Sequence, residues 1–279
     1  MRTRPFTQVD VFSPVPYLGN PLAVVLDASD LTDADLQRIA RWTNLSETTF
    51  VLPPTVEDAD YRVRIFTPDG ELPFAGHPTL GTAHAWSENG GTPRRPDPIV
   101  QECAAGLVRI HRSSAGELAF EAPETTRSGP VSEGDLGRIC AALGVERSEI
   151  VDHQWVANGP QWVAVMLSSA DRVLELRPNL SALGELEVGV VGPYPAGSEC
   201  SWELRAFISD IGEDPVTGSL NASVGQWLLR TDRMAGPYTA SQGTALGRAG
   251  RVRVTPTGDC GNVLVGGAVT TLVRGSIDA

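Results

Sequence analysis

The chain has 279 residues and a net charge of −12, and 41% of its residues are hydrophobic, enough for one large core or two ordinary ones. That charge would repel a phosphate backbone, which argues against a nucleic-acid partner. All 22 basic residues are arginine, so there is no lysine to form a Schiff base, hold a nucleotide phosphate or act as a general base.

The opening stretch "MRTRPFTQVDVF" lacks the apolar core of a signal peptide, and no run is long and apolar enough for a bilayer. The expectation is a soluble, cytoplasmic protein with no membrane partner. "GNP" (19–21) reads as a turn, with Asn20 a candidate for lining a cleft. "TDADLQRIA" (32–40) reads as a helix capped by Thr32, with Leu36, Ile39 and Ala40 on one face. "NLSETTFVL" (44–52) reads as a strand in which Leu45, Glu47, Thr49 and Val51 share a face. A carboxylate among such neighbours is costly to bury, and burial would raise its pKa into the range of a general acid or base.

"YRVRIF" (61–66) is rich in strand formers and precedes the octet "ELPFAGHP" (71–78). Pro78 suits a first helical position, which makes His77 the expected N-cap. In the second half, "SEGDLGRIC" (132–140) resembles the helix at 32–40, with Leu136, Ile139, Cys140 and Leu143 on its apolar face and Gly144 as its stop. "WELRAF" (202–207) is then a strand before a second octet, "EDPVTGSL" (213–220). The octets align without a gap: Glu71 with Glu213, Pro73 with Pro215, Gly76 with Gly218. Ser219 takes the place of His77, and Asp214 that of Leu72. The following helix buries Leu220, Val224, Trp227 and Leu228.

Two repeats in the same order predict a duplicated α+β chain, with halves at 1–125 and 126–279 and the last strands free to cross back. A helix start exposes unpaired N–H groups and carries partial positive charge. Glycine just before it lets a ligand approach closely. Each octet is therefore a candidate anion cradle, with Gly76 and Gly218 as binding positions. The differences between copies, Asp214 and Ser219 against Leu72 and His77, mark where chemistry would lie. Cys103, Cys140, Cys200 and Cys260 form no CxxC pair, and the four histidines show no metal spacing. No metal or other cofactor is expected.

Four stretches carry a resemblance: "GNPLAVV" (19–25), "NLSETTFV" (44–51), "FTPDGELPFAGHPTLGTAH" (66–84) and "GEDPVTGSLNASVGQW" (212–227). Together they resemble the phenazine-biosynthesis PhzF family. The resemblance implies a diaminopimelate-epimerase-like fold of two similar domains. In each, a sheet wraps around a central helix, and the active site lies between them. It also implies a homodimer acting on a small-molecule carboxylate, similar to the isomerisation of trans-2,3-dihydro-3-hydroxyanthranilate. Glu47, His77 and Asp214 fall on the family's catalytic positions and Ser219 on its serine. The alternatives are an epimerase on the same scaffold or a non-catalytic binding member. A two-thiol racemase is disfavoured, because no cysteine lies in either octet or its following helix.

Overall fold

The computed structural model describes residues 1–113, 116–209, 212–258 and 261–279, and Cys260 lies outside them. The chain is α+β, with extensive mixed sheet and few helices. It divides into two compact units, Met1–Glu121 with Gly266–Ala279, and Ala122–Val265. The boundary expected after residue 125 therefore falls after 121, and the terminal stretch belongs to the first unit.

In the first unit, strand Thr3–Val11 runs antiparallel to Asn20–Val25 and to Val269–Asp278. Helix α1 (Asp33–Thr43) connects Asn20–Val25 to its parallel neighbour Glu47–Leu52. The antiparallel strand Tyr61–Phe66 and the short Glu71–Leu72 follow, then α2 (Gly76–Glu88). Ile99–Cys103 returns parallel to Tyr61–Phe66, and two antiparallel strands, Gly106–Arg112 and Leu118–Glu121, follow it. The cap expected at Thr32 is formed, and as a full capping box: its side chain accepts from Asp35 N–H, and the Asp35 carboxylate accepts from Thr32 N–H. Asn44, in the left-handed region (φ 53°), ends α1, so the next strand starts at Glu47.

The second unit opens with Arg127–Gly129 and α3 (Glu133–Leu143). Asp152–Ala157 and Trp162–Met166 are antiparallel, and the one-and-a-half-turn α4 (Ala170–Glu175) leads to the parallel strand Glu187–Pro193. Antiparallel Trp202–Ile208, the short Gly212–Asp214 and α5 (Gly218–Arg230) come next. Tyr238–Gln242 is parallel to Trp202–Ile208 and is followed by antiparallel Gly250–Pro256.

From Thr3 and from Asp152 onward, the two units repeat one pairing scheme, and that scheme corrects the second repeat seen in the sequence. The counterpart of α1 is α4, since each joins a pair of parallel strands; α3 precedes the repeat altogether. The likeness of 32–40 to 132–140 is two uses of one helix-start solution, hydroxyl cap plus apolar face, at places that are not equivalent. The octets are equivalent: Phe66 pairs with Glu71 and Phe207 with Glu213 in the same register.

The strands of each unit carry helices on two faces. On one face of the second unit, α3 and α4 pack Leu136, Ile139, Leu143 and Val173 against Val163, Val165, Val188, Val190 and Phe207, with Cys140 only half-buried at the margin. On one face of the first, Leu36 and Ala40 of α1 pack on Val25, Phe50 and Phe66. The other helices are more deeply placed. α2 is buried without interruption from Gly76 to Ala83, and α5 from Gly218 to Leu228. The apolar stripe expected for α5 is thus too narrow a description; Leu220, Val224, Trp227 and Leu228 are buried, and so are the residues between them. Small residues make this close packing possible. A Cβ on Gly81 would lie 2.6 Å from Leu22, and one on Gly189 2.3 Å from Leu220.

Candidate active site

The repeated glutamate of the octets has a structural task. In each unit the strand before the octet carries Arg-x-Phe, and its arginine grips the octet glutamate with two hydrogen bonds. Arg64 reaches Glu71 at 2.8 and 2.6 Å, and Arg205 reaches Glu213 at 2.8 and 2.7 Å. Each guanidinium also lies over the phenylalanine two residues on, 5.1 Å from the Phe66 ring and 4.9 Å from Phe207. This clamp fixes the chain just before it turns into α2 or α5. A bidentate fork of this kind sets direction as well as distance.

Both helices start two residues earlier than caps at His77 and Ser219 would require. Ala75 and Thr217 are the N-caps, and neither side chain makes a capping bond to the helix. Gly76 and Gly218 are the first helical residues, and His77 and Ser219 the second. Those two side chains therefore sit within the first turn rather than folding back to close it.

In the first unit three segments converge on His77, whose ring is almost wholly buried. Its Nδ1 is 3.2 Å from Asn20 Nδ2, and its Nε2 is 3.2 Å from Glu47 Oε2. Asn20 opens one strand and Glu47 opens that strand's parallel neighbour, where Leu22 pairs with Glu47. Thr49, two residues beyond Glu47 on the same face, accepts a 2.8 Å hydrogen bond from Thr82 of α2. Glu47 thus faces the helix start, with 15% of its side chain exposed. Burial lowers the pKa of His77 to about 3, with the Pro21 carbonyl acting the other way. The ring is therefore neutral near pH 7. With Asn20 donating to Nδ1, Nε2 carries the proton; its 3.2 Å approach to Glu47 Oε2 is close but lacks the alignment of a hydrogen bond.

In the second unit Asp214 ends its short strand and accepts a 2.5 Å hydrogen bond from Thr217 Oγ1. Gln242 organises the turn. Its Oε1 accepts from Thr217 N and from Asn221 Nδ2, and its Nε2 donates to Thr217 Oγ1 and to the Asp214 carbonyl. Ser219 Oγ accepts 3.0 Å from the Trp162 indole N–H, while the Ser219 carbonyl accepts from Asn158 Nδ2. The serine hydroxyl can still donate its own proton.

The predicted residues thus fall into two groups, Asn20, Glu47, Gly76 and His77 in one unit and Asp214, Gly218 and Ser219 in the other. Sequence reasoning missed Thr217, Gln242, Trp162 and Asn158. Thr217 was readable, being the hydroxyl residue directly before Gly218. Gln242 and Trp162 are far from the octet in sequence, and no local pattern marks them.

The model of the phenazine biosynthesis-like protein family matches residues 9–275. The chain belongs to that family. The chain is also similar to the trans-2,3-dihydro-3-hydroxyanthranilate isomerase of Pseudomonas fluorescens, 35% identical with 86% of each chain covered. It is similar to antisense-enhancing sequence 1 of Schizosaccharomyces pombe, 36% identical over 99% of each. A crystal structure of a PhzF-family protein from Bacillus anthracis superposes over all of both chains with a TM-score of 0.84 at 24% identity, which shows the shared fold. Among the described residues no helix of this family member is long and apolar enough to cross a membrane.

Proposed function

We propose that this chain is an isomerase that moves a proton within a small unsaturated amino or hydroxy carboxylic acid, without a cofactor, with Glu47 as the acid–base group. The observation that carries this is Glu47 on the first residue of its strand, 3.2 Å from a neutral, buried His77 in the first turn of α2. Glu47 takes a proton from a carbon of the substrate and returns it at another position of the conjugated system, so no electrons are gained or lost. His77 holds the carboxyl group in place, and Asn20 fixes the ring. Asp214, oriented by Thr217, binds the substrate's amine or hydroxyl, and Ser219 donates to its carboxylate near the amides of Gly218. Gly76 plays the matching part at α2.

The relative named for trans-2,3-dihydro-3-hydroxyanthranilate makes that compound the first substrate to test. Two similar domains of diaminopimelate-epimerase type and a homodimeric working form belong to the same reading; family resemblance supports both. Glu47→Gln is nearly isosteric, so it should keep the fold and lose about 10²- to 10⁴-fold in kcat. Parent-like turnover by this variant would refute the assignment. Reaction in deuterium oxide should label a new carbon; label only at the original stereocentre would mark an epimerase instead.

A further inference from the structure

The duplication gives Glu47 a counterpart that lies outside both octets. Thr48 pairs with Phe66 and Val188 with Phe207, and these phenylalanines hold the same register against Glu71 and Glu213. The residue before each is a glutamate, Glu47 in one unit and Glu187 in the other. A second ladder agrees: Glu47 opens its parallel pairing opposite Leu22, and Glu187 opens its own opposite Trp162.

The face is also fixed. Val188 and Val190 point into the core under α3 and α4. Gly189, two residues from Glu187, lies so close to the first turn of α5 that a Cβ would meet Leu220 at 2.3 Å. Alternation then puts the Glu187 side chain on the α5 face, beside Trp162, whose N–H is bonded to Ser219 Oγ. Glu187 is half-buried, and its Oε2 is shut off from solvent with no hydrogen-bond partner among the described residues. Burial raises its pKa, opposed by a hydrogen bond from the backbone of Gln161.

We propose that Glu187 is a substrate-contact residue that, in its protonated form, donates its O–H to the substrate carboxylate beside Ser219. The inference rests on the isomerase reading above. An ionised glutamate here would repel the anion that the α5 start and the Ser219 hydroxyl are suited to hold; the protonated acid adds a donor instead. A buried polar atom without a partner is costly, and an arriving carboxylate removes that cost. The two copies have diverged accordingly: Glu47 faces a histidine and exchanges protons, while Glu187 shares its helix start with a serine and binds.

The test compares Glu187→Leu, Glu187→Gln and the parent, each checked for folding by near-ultraviolet circular dichroism. Calorimetry with 3-hydroxyanthranilate and kinetics with trans-2,3-dihydro-3-hydroxyanthranilate are the readouts. Glu187→Leu should raise Kd and KM about 10- to 150-fold, the range for a hydrogen bond to a charged group, with a far smaller change in kcat. Glu187→Gln keeps an N–H donor and should recover part of that loss. Parent-like binding by the leucine variant overturns the proposal, as does a glutamine variant that loses kcat the way Glu47→Gln does. Parent crystals soaked in acetate decide the contact without any turnover, even if the leucine variant does not fold. Acetate within hydrogen-bond distance of Glu187 Oε2 supports it; acetate elsewhere, or none at saturation, overturns it. Failure of the parent to convert the dihydro compound would count against the isomerase reading alone.

Discussion

The duplicated arginine–glutamate clamp is a paired experiment already built into one chain. Glu213→Gln and Glu71→Gln make the same chemical change in the same geometry, but at different depths. Arg205 and Glu213 are 5% and 10% exposed, whereas Arg64 and Glu71 are 18% and 35% exposed. Glutamine leaves one carbonyl acceptor facing the guanidinium and removes the compensating charge. For the buried pair this strands a cation in low dielectric, which costs roughly 3–5 kcal/mol. Arg205 also donates to the Val173 and Leu176 carbonyls at the end of α4, so the damage reaches the α4 connection. Arg64 retains Asp33 as a second partner and has water nearby, so Glu71→Gln should cost about 1 kcal/mol or less. Urea unfolding followed by fluorescence and circular dichroism measures both, and the deeper variant should lose of the order of 10 °C in Tm. Equal losses for the two variants, within about 0.5 kcal/mol, would refute the argument that burial sets the worth of the clamp.

His77 titrates near pH 3 in the folded chain and near 6.5 when unfolded, so the unfolded state binds the extra proton between those values. Its contribution to stability therefore falls as pH drops from about 6.5 to 3, by up to about 1.4 kcal/mol per pH unit, and is flat above; His77→Gln should remove that slope from a series of urea titrations. Gly189→Ala should cost about 1–3 kcal/mol by forcing Leu220 and the first turn of α5 outward, and thermal melting at parent-like stability would contradict it. Exhaustive dialysis against a strong chelator should leave turnover unchanged; loss restored by a divalent ion would refute the cofactor-free mechanism.

Much of the candidate site was legible because it is written in local chemistry. The octets repeat glutamate, proline and glycine at fixed spacing, and the caps at Thr32 and Ser132 follow from hydroxyl residues before amphipathic runs. The same generic signal misled the alignment of 132–140 with 32–40, since any capped helix resembles another. α4, the true counterpart of α1, is too short to show periodicity. Glu187 was hidden for a different reason. Its equivalence to Glu47 exists only through strand pairing, and "LEVGVV" shares little with "SETTFV" beyond the glutamate, because valine, threonine and phenylalanine all satisfy a buried strand. Gln242 was invisible because its hydrogen bonds reach back 25 positions to Thr217.

The pairing of Thr3–Val11 with Val269–Asp278 bears on how the chain comes into being on a ribosome. Arg2 and Ala279 exchange hydrogen bonds of 2.7 and 3.0 Å, so residues from an early and a late stretch of the sequence are partners. The usual order, in which the amino-terminal domain settles first, is reversed here. Residues 122–265 form an uninterrupted stretch and can close on themselves while synthesis continues. The earlier-made unit must wait with one margin of its sheet unzipped until Val269–Asp278 emerges. During that interval Thr3–Val11 offers open backbone groups to any passing strand, including its own twin on a neighbouring polysome chain. Slowing translation before Val269, or truncating the chain there, should favour aggregation over simple loss of a tail.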